Sequence, residues 1–564
     1  MFLKSNSDAY EWFIRKILSM NLKKEREAVL RSVERAAWFA GYFHTGRFVD
    51  GTIENLAFNI GTDLDLHPVQ LESCSLPVVR KDGRRRVLHV TPGLAMGGHR
   101  QLLYHWICND STSCHSLVLV DHSGDVPKRF DEAIQNSGGS LMILPQDTDH
   151  CQKAQLLREI ARSNADLVVW HLIGADVVPI AAFAIQECPP IILIDHCDHL
   201  FWLGSSVADL VVNLRTAGAE LTAERRFTSR TTVIPIPLLD PKIDMSRIEA
   251  RQLLGIGADQ VMLLSIGRAE KYRPHGFYDF VMTANKILDR QPNAHLYVVG
   301  ESIAGITPFL HCVIHNRLHF IGSIEDPSIY RIAADIYLES FPFGSQTALL
   351  EAALSSLPVV PAYAPLFPLL VANDDALVDI LQNPKTEQEF INQVELLICE
   401  PETRVELGDA LRKRLLVDHV GKGWLARLDI LYQKTDQLKH SPQLIPNSSC
   451  MMTDIDINLS QWHVMAIKTQ SPATPDDDIG AELFHTAFVA KTVGDYATAR
   501  WHAWRAVKHD PCQRLAWRLL AIALLDRMGN YIRRKGNSIE QFLRRSGRGC
   551  GPVRLRLLSW VKIP

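Results

Sequence analysis

The segment 334–363, ADIYLESFPFGSQTALLEAALSSLPVVPAY, places residues suited to phosphate and sugar binding at the start of a helix. An apolar strand ends at a Pro-Phe-Gly loop, and Ser345, Gln346 and Thr347 begin the helix that follows. Backbone amides at such a helix start can hold phosphate oxygens. Glu351 lies one turn inside the helix, where it can reach a pair of sugar hydroxyls. An acid in an otherwise apolar helix is costly to bury without partners, which favours this binding role.

A second group of residues could stabilise a diphosphate. The stretch SIGRAEKYRP (265–274) brings Arg268, Lys271 and Arg273 directly after an apolar strand. Cations at the carboxyl end of a strand, aimed into a cleft, suit a departing diphosphate. A charged surface turn is the alternative for this stretch.

A glycine pair follows the first strong strand, in LAMGGHRQLLYHW (94–106). Gly97 and Gly98 open the next helix, where the backbone can approach a phosphate and the helix N-terminus favours negative charge. The spacing is not the six-residue dinucleotide fingerprint, so a dehydrogenase loses its main support.

Acids and histidines cluster in DHCDHLFWLG (195–204), at the end of another strand. We expect Asp195, His196, Asp198 and His199 to open into a cleft beside Trp202, for acceptor binding or acid–base assistance. Structural hydrogen bonding is the alternative, and the spacing assigns no metal ligand. Two Asp-x-Asp pairs, Asp63 with Asp65 and Asp454 with Asp456, fall outside the predicted strands and are not assigned a metal either.

The elements that position these residues are short apolar runs alternating with helices. That alternation predicts right-handed crossovers and parallel sheets. The first series comprises 87–94, 116–120, 141–145, 166–172, 191–196, 209–214 and 232–237. The second comprises 261–268, 295–301, 318–324, 335–340 and 358–363. The predicted fold class is α/β, with two Rossmann-like domains facing a cleft and helical additions at both ends.

The predicted boundaries divide the chain into five parts. They are a helical segment 1–80, a first Rossmann-like (acceptor) domain 81–240, a second (donor) domain 241–440, a polar linker 441–480 and a helical segment 481–564. The last part contains one tetratricopeptide-like hairpin, marked by small and aromatic residues over 481–511. The stretch from Arg500 to Pro564 contains 15 lysines and arginines and three acids, so its net charge is +12. This end suits an anionic membrane or an acidic partner, or is a solvated helical surface.

The composition limits the classes of protein to which the chain can belong. A chain of 564 residues with 47% hydrophobic and 22% charged residues is an ordinary globular protein of several domains. The net charge of −3 makes nucleic acid an unlikely partner for the molecule as a whole. Eleven scattered cysteines without a Cys-x-x-Cys pair favour a reducing compartment. Without a signal peptide or a long apolar run, the expected location is cytoplasmic, including the inner face of a membrane.

Together these motifs resemble the GT-B-fold glycosyltransferases, especially the large family 4, over about 85–435. That family has a Gly-Gly loop after its first strand and an Arg and a Lys after the first strand of its second domain. It also has a segment that 334–363 resembles. The resemblance implies that Gly97 and Gly98 face the donor's diphosphate, that Arg268 and Lys271 neutralise it, and that Glu351 binds the ribose. It also implies that His171 lies near the transferred sugar, and that Ser323 and Ile324 line the base pocket.

Two features depart from the family pattern. The family has a second glutamate eight positions before the ribose-binding one, and Phe343 stands there in this chain. The spacing from Arg268 to Lys271 is also shorter, so Lys271 and Arg273 compete for one role. The loop FPFGSQT (341–347) is similar to that of GT-B enzymes that modify proteins with N-acetylglucosamine or glucose.

The predicted activity is therefore metal-independent transfer of a hexose from a nucleotide-diphosphate sugar to a glycan, lipid or protein. The sugar nucleotide is a substrate, and no cofactor is expected. Two alternatives remain. One is a catalytically degenerate GT-B scaffold, which Phe343 favours, and the other is a sugar-nucleotide epimerase.

Overall fold

The computed structural model describes most of the chain as two parallel sheets with helices around them. Described are residues 2–64, 83–94, 97–226, 228–241, 245–363, 377–447, 452–468, 484, 487–488, 491, 496–509, 511–512 and 514–524. Asp65 and most of the basic C-terminal region, 525–564, lie outside these residues.

The first sheet has seven parallel strands in the order β3-β2-β1-β4-β5-β6-β7. They are β1 (Arg86–Thr91), β2 (Cys114–Leu119), β3 (Leu141–Ile143), β4 (Leu167–His171), β5 (Ile191–Asp195), β6 (Leu210–Asn213) and β7 (Thr231–Val233). The strands β1, β2, β4, β5 and β6 are almost wholly buried, as expected of parallel strands covered on both faces.

The second sheet has five parallel strands in the order β10-β9-β8-β11-β12. They are β8 (Val261–Ile266), β9 (Ala294–Val299), β10 (Leu318–Gly322), β11 (Ile336–Leu338) and β12 (Val359–Val360). Each of the twelve apolar runs in the sequence thus forms a strand. The predicted α/β class, with two parallel sheets and helical segments at both ends, is confirmed.

The helices connect and cover these strands. Those up to the end of the first sheet are α1 (Phe2–Leu18), α2 (Arg26–Phe43), α3 (Gly51–Thr62), α4 (Gly98–Asn109), α5 (Lys128–Ser137), α6 (His150–Asn164), α7 (Val178–Ala182) and α8 (Thr216–Arg226). Those that follow are α9 (Arg247–Leu254), α10 (Phe280–Arg290), α11 (Ile303–Ile306), α12 (Ser328–Ala333), α13 (Gln346–Leu354), α14 (Glu387–Cys399), α15 (Pro401–Asp418) and α16 (Gly421–Asp436). The last three are α17 (Asp454–Lys468), α18 (Tyr496–His509) and α19 (Arg514–Leu524). Two 3₁₀ helices, Ala269–Tyr272 and Thr307–Phe309, lie in the second half.

The N-terminal helices share a core with the first sheet. Apolar residues of α1, α2 and α3, including Phe13, Phe39 and Ile53, are buried in one cluster with β4 and β5. Arg158 of α6 is also buried here, and its guanidinium donates to the carbonyls of Gly61, Ala181 and Ala182. The first three helices therefore complete the core of the first sheet.

The chain crosses between the sheets twice, and the two crossings lie side by side. Leu238 donates its amide to the carbonyl of His419 at 2.8 Å, and His419 Nδ1 contacts the carbonyl of Ile236 at 2.8 Å. After the second crossing, α16 packs Trp424 and Tyr432 against the first sheet, beside Trp106. The final helix of the second half thus belongs to the core of the first sheet.

The segment that the sequence marks as a polar linker contains the helix α17. Its buried residues include Asp456, Leu459 and Trp462, and Asp456 forms a buried ion pair with Arg225 of α8. In the sequence the helix lies between the polar stretches 440–449 and 470–478, so the whole segment has the composition of a linker. Asp456 is thereby engaged in an ion pair within the fold.

The two C-terminal helices, α18 and α19, pack mainly on each other through small residues such as Ala503, Ala506 and Ala516. Ala499 and Ala523 join the core of the first sheet. Among the described residues, no helix is both long and apolar enough to span a membrane. The structure shows no disulfide bond among the eight cysteines that it describes, which are Cys108, Cys114, Cys151, Cys188, Cys197, Cys312, Cys399 and Cys512.

Candidate active site

Lys271 lies against the loop that precedes α13. It sits in the 3₁₀ helix that follows β8, and its Nζ donates to the carbonyl of Gly344 and, at 3.1 Å, to Ser345 Oγ. A side chain at Gly267 would come within 2.8 Å of Ser345 Oγ, so the turn after β8 approaches this loop closely. The carboxyl ends of β8 and β11, which are neighbouring strands, thus bring the predicted cation and the predicted phosphate loop together.

Burial changes the titration of Lys271. Removal from water, with Arg268 nearby, lowers the pKa of its ammonium to about 7, although Glu270 and Glu339 oppose the change. Its charge therefore depends on the presence of an anion in the physiological pH range.

The two arginines of this stretch are placed differently. The side chain of Arg268 is 70% exposed and pairs with Glu270 at 3.1 Å. The guanidinium of Arg273 lies 4.4 Å from the ring centre of Phe309. Of the three predicted cations, Lys271 is the one that the structure describes in contact with the loop before α13.

Glu339 is a buried acid of this site that the sequence analysis does not single out. It follows β11, is 0% exposed, and its Oε2 accepts from the amide of Ala362 at 3.1 Å. Burial raises the pKa of Glu339 to about 7, although the hydrogen bond from Ala362 and the charge of Lys271 oppose the change. Its position directly after β11, one residue before the FPFG loop, is the signal that could have identified it.

The glycine pair of the first half meets the start of α13 across the cleft. A Cβ atom at Gly98 would lie 3.0 Å from Thr347 Oγ1. Gly97 caps α4 with a φ of 147°, in a region that favours glycine, and its Cβ position faces open space. Ser345 caps α13 and is buried, while Gln346 and Thr347 are half-buried. The structure therefore brings Gly98 close to the first turn of α13.

Glu351 is half-buried on α13 and is paired within the fold. Its Oε2 accepts from Arg331 Nη1 at 2.9 Å. Ser323 and Ile324 follow β10 at the same sheet edge: Ser323 is exposed, and Ile324 packs partly against the core. A ligand that binds Glu351 must therefore share the carboxylate with Arg331.

Three histidines meet at the carboxyl edge of the first sheet. His171 ends β4 and is fully buried, while His196 follows β5 and His99 lies in the first turn of α4; both are half-buried. The rings of His99 and His196 are 4.5 Å apart between centres. Burial, together with neighbouring imidazoles, lowers the pKa of His171 and of His196 far below the usual range. These rings are neutral at physiological pH.

A line of hydrogen bonds leads from this cluster into the interior. His171 Nε2 is 3.0 Å from His89 Nδ1, and His89 Nε2 is 2.9 Å from His115 Nδ1. His115 Nε2 then contacts Asp110, at 3.1 Å from its carbonyl and 3.2 Å from its carboxylate. Although burial opposes it, the hydrogen bond with His115 lowers the pKa of Asp110. The sequence analysis missed this line because its members are distant in the chain.

Asp195, Asp198 and Trp202 of DHCDHLFWLG are engaged within the first half. Asp198 pairs with Arg215 at 2.6 Å, and Asp195 accepts from the amide of Cys197 at 2.9 Å. Trp202 is wholly buried, with the guanidinium of Arg226 4.1 Å from its ring centre. The expectation that Trp202 opens into a cleft is therefore wrong, because the indole packs into the core of the first sheet.

Phe343 stacks on an aromatic residue of α17. The rings of Phe343 and Trp462 are 4.5 Å apart between centres and inclined by 2°. Lys271 Nζ lies 5.0 Å from the centre of the Phe343 ring, and His199 lies beside it at 5.6 Å. Helix α17 thus covers the loop that Lys271 contacts.

Comparison with known proteins gives a family match within the second half. Residues 260–400, from the start of the second sheet to the end of α14, match the family model described as glycosyl transferases group 1. The match covers about a quarter of the chain. No curated protein sequence matches the chain.

Solved glycosyltransferase structures are similar over longer stretches. The HepE protein of Anabaena, in complex with UDP and glucose, is 16% identical, with a TM-score of 0.47 over 63% of this chain and 100% of its own. An O-GlcNAc transferase mutant of Thermobaculum terrenum is 17% identical, with a TM-score of 0.43 over 76% of this chain and 84% of its own. A glycosyltransferase from Rickettsia africae is 10% identical, with a TM-score of 0.48 over 63% of this chain and 99% of its own.

Proposed function

We propose that the protein is a GT-B-type glycosyltransferase that transfers a hexose from a nucleotide-diphosphate sugar to a glycan, lipid or protein acceptor. The observation that carries the proposal is the contact of Lys271 with Ser345 at the start of α13, opposite the Gly97–Gly98 turn. The family match over residues 260–400 supports it.

In this function, each part of the site acts on the donor. The amides at the start of α13 bind the diphosphate, and the charge of Lys271 stabilises it as it leaves. Arg268, which is exposed, adds a second cation when a donor is bound. Glu351 binds the ribose, Ser323 and Ile324 contact the base, and His171 and His196 lie on the side of the transferred sugar. Closing the two halves around donor and acceptor would bring the reacting atoms together.

A scaffold without transfer activity is the second candidate. The observation that favours it is the stack of Phe343 on Trp462, because the family's second glutamate is replaced here by a ring that is already covered. A scaffold of this kind retains nucleotide binding at Lys271 but neither transfers nor hydrolyses the donor.

A thermal-shift screen with nucleotide sugars tests the binding part of the proposal. A ligand that binds only the folded protein raises its stability by RT ln(1 + [L]/Kd). At least one nucleotide sugar should raise the melting temperature of the wild type and raise that of Lys271→Met less. Lys286→Met is the matched control, because Lys286 forms a partly exposed ion pair with Glu387 in the same half. The absence of any shift across the panel contradicts the proposal.

Donor turnover then separates the enzyme from the scaffold. Release of nucleoside diphosphate from the donor that binds, alone and with candidate acceptors, indicates transfer or hydrolysis. Binding without release favours the scaffold, and an altered sugar nucleotide as the product identifies an epimerase.

We also propose that the diphosphate is bound without a metal ion. The cation Lys271 and the helix start at Ser345 supply the positive potential that a metal would otherwise provide. The affinity for nucleoside diphosphate, measured by calorimetry, should be the same with EDTA as with magnesium or manganese. Loss of affinity with EDTA, restored by manganese, contradicts this part of the proposal.

A further inference from the structure

The geometry of three histidines points to a metal site in the first half of the protein. A ring nitrogen of each of His99, His171 and His196 lies within 4.8 Å of a ring nitrogen of the other two. We propose that these three side chains bind one Zn²⁺ ion. The sequence assigns no metal ligand here, because the three residues are distant in the chain and meet only through the order of β1, β4 and β5.

The hydrogen bonds of His171 leave one of its nitrogens available as a ligand. The carbonyl and carboxylate oxygens of Asp110 only accept hydrogen bonds, so His115 carries its proton on Nε2. With one proton on each ring, His89 then donates through Nε2 to His115, and His171 donates through Nε2 to His89. The Nδ1 atom of His171 is left with a bare lone pair. It is buried and has no hydrogen-bond partner among the described residues.

The same reasoning applies to His99. Its Nε2 lies 3.2 Å from the carbonyl oxygen of His171, which can only accept, so Nε2 carries the proton and Nδ1 has the lone pair. In His196, Nε2 is buried and also lacks a partner among the described residues. Two buried nitrogens without partners are costly, and a cation would remove that cost.

The arrangement has the features of a three-histidine zinc site. Zinc prefers imidazole nitrogens at about 2.0 to 2.1 Å, and three histidines leave the fourth position open. A tetrahedral site needs nitrogens about 3.3 Å apart, which small rotations of the half-buried His99 and His196 can reach. The His171–His89–His115–Asp110 line orients one ligand from outside, as partners of metal-bound histidines commonly do.

The position of the ion follows from the neighbours of its ligands. His99 adjoins Gly98, which approaches Thr347 across the cleft. The ion would therefore lie at the first-sheet side of the cleft and would tie together the segments at the carboxyl ends of β1, β4 and β5.

Metal content of the full-length, tag-free protein tests the proposal. After removal of metal with a chelator and incubation with Zn²⁺, gel-filtered wild type should retain about one equivalent. His99→Gln and His196→Gln should lose the bound zinc. Both side chains are half-buried, and the use of two variants keeps the test valid if one of them misfolds. His295→Gln is the matched control, since His295 and His319 form a stacked pair that no third metal-binding side chain joins among the described residues.

Cobalt provides a second readout that does not depend on any enzyme activity. Wild type loaded with Co²⁺ should show the visible absorption of a tetrahedral ion, and His89→Gln should bind it roughly 10- to 100-fold more weakly, because the orienting partner is lost. Failure of wild type to retain zinc overturns the proposal. So does retention by folded His99→Gln and His196→Gln at the level of the His295→Gln control.

Discussion

Lys271 is a cation that the fold keeps away from water and surrounds with polar atoms of the α13 loop. Its ordinary pKa of 10.5 falls to about 7, mainly because burial disfavours the charge. An incoming diphosphate supplies the missing counter-charge, so binding of the anion and protonation of Lys271 favour each other.

The affinity for nucleoside diphosphate should therefore fall as the pH rises from 7 to 9, at most about tenfold per unit. Calorimetric titrations across this range test the expectation. Lys271→Met should bind more weakly and lose most of the dependence, whereas Lys286→Met should behave as wild type. A wild-type affinity that does not change with pH contradicts this role of Lys271.

The same pKa shift has the opposite effect on the free protein. Between pH 7 and about 10.5, the unfolded chain keeps the proton of this lysine and the folded chain does not. The free energy of unfolding therefore gains a contribution that rises with pH in this window, as required when the unfolded state binds more protons. Ligand affinity and intrinsic stability should thus change in opposite directions.

Glu351 gives a second prediction at the level of single residues. Glu351→Gln should weaken nucleotide-sugar binding roughly 10- to 100-fold, the range for a lost hydrogen bond to a charged group. The amide oxygen can still accept from Arg331, so the fold should be preserved. Calorimetry gives the affinity and circular dichroism checks the fold, with Glu387→Gln as the control. Unchanged affinity in the folded variant contradicts the ribose assignment.

Among the elements, α17 is the one whose removal should affect the cleft most directly. Trp462 is 5% exposed and stacks on Phe343, while Asp456 of the same helix pairs with Arg225. The helix therefore contacts both halves of the protein through two side chains that are about two turns apart.

Trp462→Ala should destabilise the protein by about 3 kcal/mol, as expected for a large aromatic side chain removed from a packed site. Trp504→Ala is the control, because Trp504 is 55% exposed and its loss should change stability by less than about 0.5 kcal/mol. Melting temperatures compare the two. Equal effects would show that the stack of Trp462 on Phe343 contributes no more to stability than an exposed indole does.

The strands were predictable because parallel strands, covered on both faces, are continuous apolar runs such as DLVVWHL. Helix α6 was predictable for a similar local reason, since Asp149 and Gln152 form a capping box at its start. Helix α17 was not, because the polar stretches on both sides of it give the whole segment the composition of a linker. Local pattern thus identifies elements with a clear apolar run or cap and misses one that polar segments surround.

The residues of the candidate site also fall into two groups, those that local sequence locates and those that depend on packing. Ser345, Thr347 and Gly98 could be predicted because each lies next to a strand end that the pattern locates. The histidine line could not, because it depends on the register of β1 with β2 and β4, which places His89 between His115 and His171. Whether a tryptophan is buried also depends on packing, and Trp202 was misplaced for that reason.

On the scale of the whole molecule, the C-terminal helices α18 and α19 pack with the core of the first sheet and its N-terminal helices, and have no described contact with the loop before α13. Removing residues 481–564 should therefore leave the affinity for nucleotide sugar unchanged. The basic residues of this region should support salt-sensitive binding to vesicles that contain anionic lipid. Calorimetry and vesicle sedimentation of the full-length and shortened chains test both expectations. Loss of donor affinity or unfolding of the shortened chain would show that the region is structural.

The paired crossings at Leu238 and His419 also determine how the molecule can move. Because these two backbone segments are hydrogen-bonded to each other, we expect the halves to open by rotation about the crossings rather than by sliding. Helix α17 is anchored to the first half by the pair of Asp456 with Arg225, and it stacks Trp462 on Phe343 of the second half. Rotation should therefore separate these two rings, so the distance between them is a measure of the angle between the halves.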